Sequence, residues 1–353
     1  MKILVTGGAG FIGSAFVRMA LAKAEPARVV NLDKLTYAGN LENLESVAHY
    51  PGHRFVHGDI GDARAVDGIL DDEKPDAIVH FAAESHVDRS IFSPSPAFET
   101  NLRGTFTLLE AARAHRIPRF IHVSTDEVYG SLRAPIEADE DFPLNPSSPY
   151  SASKAGSDLL ARSYFTTYGL PVIITRASNN YGPFQFPEKL IPLMISNALE
   201  RRPLPVYGDG MQVRDWLYVD DHCRALMVML EQGREGEIYN IGGSRSVPNI
   251  EVVQKILHAT GAPDTLIEHV EDRPGHDRRY ALTSAKLIRE TGWEAEMSFE
   301  QGLAETIDWY RQHAGWIERV KSGEYLNYYA RNYDNREAEL RKASSARERT
   351  KAQ

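Results

Sequence analysis

The sequence predicts an α/β fold, a doubly wound parallel sheet with a smaller α/β lobe after it. Three observations carry that expectation. Short β-prone runs alternate with helical stretches through the first half of the chain, the pattern of parallel strands joined by crossover helices. Those runs are continuously apolar, as strands buried on both faces are. A glycine-rich turn separates the first run from the first helix.

Taken in order, residues 2–6 form the first strand and 14–23, with helical spacing, the first helix. Strands follow at 28–32, 54–57 and 77–81. A helix is expected at 101–115, a fifth strand at 119–124, a helix at 154–168 and a sixth strand at 171–175. After about Ala177 proline, glycine and aromatic residues become frequent and strands short and scattered. The expected division is 1–178 for the sheet domain, with segments from about 210–245 returning to it, and 179–331 for the second lobe. A tail at 332–353 is rich in Arg, Lys and Glu, which suits a solvated helix or a frayed end.

The 353 residues hold 40 Lys plus Arg against 49 Asp plus Glu, a net charge of -9. Such a chain lacks the basic face of a nucleic-acid binder. Its 42% hydrophobic content suffices for a real core. No apolar run nears the roughly 18 residues of a membrane helix. Residues 1–22 pair a lysine with apolar residues, but Gly7, Gly8, Gly10 and Gly13 interrupt them, so they read as the start of the fold and not as a signal peptide. The one cysteine, Cys223, excludes an internal disulfide and a cysteine-based zinc site. The expectation is a cytoplasmic protein without metal, membrane or nucleic-acid partner.

The turn Thr6-Gly-Gly-Ala-Gly-Phe-Ile-Gly13 contains G-x-G-x-x-G at Gly8, Gly10 and Gly13, with Gly7 adding a second register. Glycines there allow a tight turn, close approach of backbone to a pyrophosphate, and close helix–strand packing. The helix N-terminus then offers free N–H groups to the phosphates. With a strand before it, a helix after it and Asp33 placed 20 residues beyond Gly13, the turn is the fingerprint of a Rossmann-type, dinucleotide-binding sheet. Asp33 should hold the adenosine ribose and repel a 2′-phosphate, which favours NAD over NADP; Lys34 works against that preference. Asp59, next to Ile60, either contacts adenine or caps a helix.

Tyr150 and Lys154 stand one helical turn apart and share a face. An ammonium beside a phenol lowers the phenol pKa, so this tyrosine can take a proton from a sugar hydroxyl while hydride leaves the same carbon. Arg214 and Arg273 offer planar donor forks to phosphate, and local cations must outweigh the acidic global field. His122, inside the fifth strand, reads as structural.

On these residues the sequence resembles the extended short-chain dehydrogenase/reductase superfamily and, within it, the nucleoside-diphosphoglucose 4,6-dehydratases. The resemblance runs to about Tyr333. It includes Leu35-Thr-Tyr-Ala-Gly-Asn-Leu41, Ala82-Ala-Glu-Ser-His-Val-Asp-Arg-Ser90, Ser124-Thr-Asp-Glu-Val-Tyr-Gly130, Ser178-Asn-Asn-Tyr-Gly-Pro183, Arg214-Asp-Trp216 and Arg273-Pro-Gly-His276. The residues 325–329 match a C-terminal feature of the family. Sugar-nucleotide 4-epimerases are similar at the Ser/Thr and Tyr/Lys positions but have small residues where this chain has Asp126 and Glu127. Two adjacent acids after a strand also suit helix capping; at the mouth of a nucleotide site they imply proton traffic.

The resemblance implies NAD as cofactor, a nucleotide-sugar substrate (typically dTDP-glucose), and a homodimer through helices around 101–114 and 153–168. It implies oxidation at C4, elimination across C5 and C6, and hydride return to C6. Glu127 would take the C5 proton, Asp126 protonate the leaving hydroxyl, Thr125 bond the C4 oxygen, Tyr150 move its proton and Lys154 contact the nicotinamide ribose. The residues expected around the cofactor are Gly7, Gly10, Phe11, Ile12, Gly13, Asp33, Lys34, Thr36, Asp59, Ile60, Ala82, Ala83, Ser85, Tyr150, Lys154 and Asn180. Those expected around the substrate are His86, Asn179, Lys189, Leu190, Pro205, Tyr207, Arg214, Asn249, Arg273 and His276. A UDP-sugar 4-epimerase would leave both acids unexplained, and a non-catalytic NAD sensor would need none of the five catalytic residues.

Overall fold

Along the first strand Ile3 and Val5 face one layer of core and Leu4 the other. Successive side chains of a strand point to opposite faces, so a strand covered on both sides has no polar face to show. In the computed structural model, which describes residues 1–23, 25–243 and 245–321, this holds through most of the central sheet, and the edge strand at His53–His57 leaves Arg54 and His57 exposed. The expected features at 325–329 and 332–353 lie outside the described residues.

In chain order the strands are β1 (Lys2–Thr6), β2 (Arg28–Asp33), β3 (His53–His57), β4 (Ala77–His80), β5 (Phe120–Thr125) and β6 (Val172–Ala177). They continue with β7 (Asn179–Tyr181), β8 (Leu204–Tyr207), β9 (Val213–Tyr218), β10 (Ile238–Ile241), β11 (Arg245–Pro248) and β12 (Ile267–Val270). The helices are α1 (Phe11–Ala22), α2 (Ala63–Glu73), α3 (Val87–Phe92), α4 (Ser95–Ala97), α5 (Thr105–Ala114) and α6 (Pro149–Tyr168). Beyond them lie α7 (Leu190–Leu199), α8 (Val219–Gln232), α9 (Asn249–Thr260), α10 (Ala285–Thr291), α11 (Phe299–Gln312) and α12 (Ala314–Val320).

Seven parallel strands form the central sheet in the order β10-β6-β5-β4-β1-β2-β3. The chain reverses its direction of progress between β1 and β4, the switch point at which doubly wound sheets bind dinucleotides. α1 and α8 cover one face with Phe16, Val17, Ala225 and Leu226. α2, α5 and α6 cover the other with Val66, Leu70, Leu108 and Ala161. The second lobe has a three-stranded sheet, β11-β9-β7, and a parallel pair, β12-β8. Its core joins α7, α9 and α11 through Ile191, Met194, Val253, Ile256 and Leu303. Among the described residues no helix is long and apolar enough to cross a membrane.

Three elements differ from the sequence-based expectation. The helix expected from Lys154 begins at Pro149, because Ser148 and Ser151 form a reciprocal capping box and proline occupies the first turn. The helix expected from Asn101 begins at Thr105 and is preceded by a π-helical segment, Phe98–Gly104. There the buried Asn101 accepts from Glu84 N at 2.8 Å and donates to Ser153 Oγ at 2.9 Å, tying the segment to the β4 loop and to α6. Of the segments expected to return to the first domain, α8 packs on α1 and β10 pairs with β6, whereas β9 pairs with β7 and β11.

Candidate active site

The cofactor cleft opens at the β1–α1 turn. Gly7 has φ +73, and a Cβ there would lie 2.6 Å from Ala82 N; one on Gly13 would lie 2.2 Å from Gly7 O. Only glycine allows this approach of turn, helix and β4 loop. Gly10 caps α1 without a side-chain hydrogen bond, so the first N–H groups of the helix are left for an anion. At the end of β2, Asp33 accepts from Ala9 N and Leu35 N, both at 2.8 Å. Burial raises its pKa against those two bonds. Lys34 pairs with Asp59 at 2.7 Å. Asp59 also accepts from Gly61 N at 2.8 Å, and the cap of α2 is Asp62.

Fourteen of the sixteen residues expected at the cofactor line this cleft. The exceptions are Phe11, whose ring packs on the core, and Asn180, which lines the neighbouring pocket. Asn180 is fixed there by His222 Nδ1 at 2.9 Å. Thr100 and Val123 also line the cleft; neither sits in a motif. The glycine cradle, the open helix terminus and the ribose-facing carboxylate together fit a dinucleotide.

The catalytic candidates meet where β5 ends. Thr125 Oγ1 accepts from Glu127 N and donates to Asp126 Oδ1, both at 3.2 Å. Asp126 is 2% exposed, and its Oδ2 has no partner among the described residues. Burial pushes its carboxyl well above the ordinary carboxylate range, with Glu127 and Asp215 adding to the shift. Burial also raises Glu127, but Arg273, Lys189 and Arg214 oppose it. Tyr280 donates to Asp277 Oδ2 at 2.8 Å and to Glu127 Oε2 at 3.4 Å.

The first turn of α6 carries Tyr150, whose N–H donates to Ser90 Oγ at 3.1 Å and whose hydroxyl bonds Thr125. Lys154 donates to Val123 O at 2.9 Å. The expected lowering of the Tyr150 phenol is not what the protein groups produce: burial and Glu127 raise it, outweighing Thr125. Burial also brings Lys154 down to about 8.

A second pocket, open to roughly 940 Å³, adjoins these groups through Glu127. All ten residues expected at the substrate line it. Arg214 is buried over the Tyr280 ring at 4.1 Å and donates to Asp277 O at 2.9 Å. Arg273 pairs with Asp88 at 3.3 Å; despite burial, Asp88 and its neighbours hold it charged. Asp88 also accepts from Tyr207 at 2.9 Å. His276, lowered to about 3 by burial and the two arginines, is bonded to Asp272 at 2.5 Å. Lys189 crosses to the cofactor side and donates to Ser85 O at 2.6 Å. Asp88, Gln212 and Tyr280, absent from the expected set, share this wall.

The chain has known relatives. A family model described as GDP-mannose 4,6 dehydratase matches residues 4–306. A dTDP-glucose 4,6-dehydratase of Shigella flexneri is 51% identical over 96% of this chain and 100% of its own. The crystal structure of DesIV, a dTDP-glucose 4,6-dehydratase of Streptomyces venezuelae with NAD bound, has a TM-score of 0.88 at 54% identity, covering 91% of this chain and 100% of that one. A UDP-glucose 4-epimerase of Thermus thermophilus, also with NAD, has a TM-score of 0.82 at 33% identity over 89% and 100% of the chains. By these matches the chain belongs to the nucleotide-sugar 4,6-dehydratase family, among the dTDP-glucose 4,6-dehydratases of the extended short-chain dehydrogenase/reductase superfamily.

Proposed function

We propose that the protein is an NAD-dependent dTDP-glucose 4,6-dehydratase, converting dTDP-glucose to dTDP-4-keto-6-deoxyglucose and water. The observation that carries this reading is the pair Asp126 and Glu127. Burial raises both carboxyl groups, Asp126 well above the ordinary range and Glu127 against three opposing cations, and carboxyl groups held so differently can divide acid and base work. Asp126, deeply buried and flanked by two further acids, is biased toward its protonated form. Glu127, faced by Arg273, Lys189 and Arg214, gives its proton up more readily.

NAD+, when bound in the cleft, supplies the capacity to accept hydride from C4 and return it at C6. The chain's own residues handle the protons. Thr125 holds the C4 oxygen, and Tyr150 takes the proton from the C4 hydroxyl with the Lys154 ammonium nearby. The C4 ketone acidifies C5–H, and Glu127 removes that proton. Asp126 gives its proton to the departing C6 oxygen, which leaves as water, and C5 takes up a proton as hydride would return to C6. Arg214 and Arg273 hold the diphosphate. We also infer a cytoplasmic homodimer; exposed Phe106 on α5 and Leu159 and Tyr168 on α6 support an apolar contact face.

Incubation with dTDP-glucose in heavy water tests the reaction. The expected result is a 4-keto-6-deoxy sugar nucleotide with deuterium at C5. Absence of both would overturn the reading, and an epimerised sugar without loss of water would favour a 4-epimerase.

A further inference from the structure

Asp158 lies one helical turn beyond Lys154 on α6, is 1% exposed, and lines neither the cofactor cleft nor the substrate pocket. Its Oδ2 accepts from Arg176 Nε at 2.9 Å, and Oδ1 lies 3.3 Å from His122 Nε2. Arg176, also buried, donates onward to the Tyr129 hydroxyl at 2.9 Å and to Glu140 O at 3.3 Å. Two strands and a helix thus converge on one carboxylate. Burying such an ion pair brings little net stability, so its position beside the catalytic lysine calls for another reason.

Lys154 is where a charge is needed and hardest to keep. Asp158 shares its face of α6 one turn on, and His122 from β5 and His80 from β4 feel its charge, while Arg176 of β6 sits against Asp158. His80 is engaged at both ring nitrogens, by Thr6 at 2.7 Å and Thr105 at 2.9 Å. Burial lowers the pKa of both His80 and His122, with Asp158 opposing the shift at His122. The carboxylate that offsets the burial of Lys154 is Asp158. Its field also disfavours a Tyr150 phenolate, but weakly beside burial and Glu127.

We propose that Asp158 is a positioning residue: its carboxylate is the counter-charge that keeps the Lys154 ammonium protonated beside Tyr150, while Arg176 and His122 hold that carboxylate in place. The inference rests on the dehydratase reading and adds to it a residue that acts only through Lys154. A positioning role of this kind moves a pH profile, whereas a packing role does not.

The test is the pH dependence of kcat for dTDP-glucose dehydration by the NAD-loaded enzyme and its variants. Asp158→Asn moves the alkaline limb down by about one unit and lowers kcat about fivefold near pH 8, approaching tenfold at higher pH, with KM little changed. C4-deuterated substrate then shows a larger isotope effect, because C4 oxidation has become slow. Arg176→Gln moves the limb the other way, since the carboxylate then serves Lys154 alone. Asp158→Glu, which keeps charge and ion pair, leaves the limb in place and covers the case in which Asp158→Asn does not fold. In a Lys154→Met background Asp158→Asn costs nothing further. Unmoved limbs, shifts of one sign in both charge-altering variants, or multiplying losses overturn the proposal. A wild-type enzyme that makes no 4-keto-6-deoxy product overturns the dehydratase reading instead.

Discussion

Asp126 and Glu127 are adjacent in the chain, yet their carboxyl groups meet opposite surroundings. Asp126 is turned into the protein, where its Oδ1 accepts from Thr125 and further acids crowd it. Glu127 faces the substrate pocket, three cations and the Tyr280 hydroxyl. Thr125 holds both by bonding the side chain of one and the backbone N–H of the other.

Glu127→Gln should separate the steps of the reaction. The amide keeps the shape of the wall but cannot accept the C5 proton. NAD binding is expected to stay within twofold, about 0.4 kcal/mol, while C5 deuterium incorporation and product formation fall by about 10²–10⁴. Normal dehydration by this variant would remove Glu127 as the base.

Asp126→Asn should stabilise the protein while inactivating it. The folded-state pKa of Asp126 lies above its unfolded value, so the folded state binds this proton more tightly. That contribution is fully present below the unfolded value, near 4, and is lost as pH rises through the folded one. The amide has nothing to lose. Thermal melts are expected to coincide near pH 4 and to favour the variant increasingly toward pH 8; a variant less stable at pH 8 would contradict the cited shift.

Gly13→Ala should abolish cofactor retention. The added Cβ would lie 2.2 Å from Gly7 O and 2.8 Å from Gly8 Cα, both backbone atoms. Forcing the turn apart costs roughly 1–3 kcal/mol and displaces the N–H groups at the start of α1. Calorimetric titration with NAD should show affinity reduced at least about tenfold; unchanged affinity would place the pyrophosphate elsewhere.

Arg273→Lys should raise KM for dTDP-glucose by about ten- to a hundredfold with a smaller change in kcat. The ammonium can still answer Asp88, which keeps the buried charge paired, but it lacks the planar fork for a diphosphate. Steady-state kinetics decide; a loss confined to kcat would move Arg273 from binding to chemistry.

The sheet was legible because a strand buried on both faces is mostly apolar, and the runs at 28–32, 119–124 and 171–175 are built around Val29-Val30, Phe120-Ile121 and Val172-Ile173-Ile174. The glycine turn was legible because steric limits leave no substitute at Gly7 and Gly13. Helix boundaries were less so. The first turn of α6 lies in a Ser/Pro-rich stretch without hydrophobic period, and the Ser148/Ser151 pair with Pro149 was the signal that could have found it. The π-helical segment Phe98–Gly104 has no periodic signature; it forms around one buried side chain, Asn101. Asp88 and Tyr280 went unnoticed because their partners, Arg273 and Glu127, are 185 and 153 residues away.

The sequence by itself determined the alternation of strand and helix, the cofactor turn with Asp33, the one-turn spacing of Tyr150 and Lys154, and the adjacency of Asp126 and Glu127. These are local facts, set by sterics and by helical or strand period. Only the tertiary structure decided which way the chemistry of those groups is biased. Burial raises Asp126 and Tyr150 and lowers Lys154, and cations from three distant segments temper Glu127. Charge acts through space and through the loss of water around it. The phenol expected to be acidified by its lysine is therefore raised, and the lysine has its own counter-charge one turn further along the same helix.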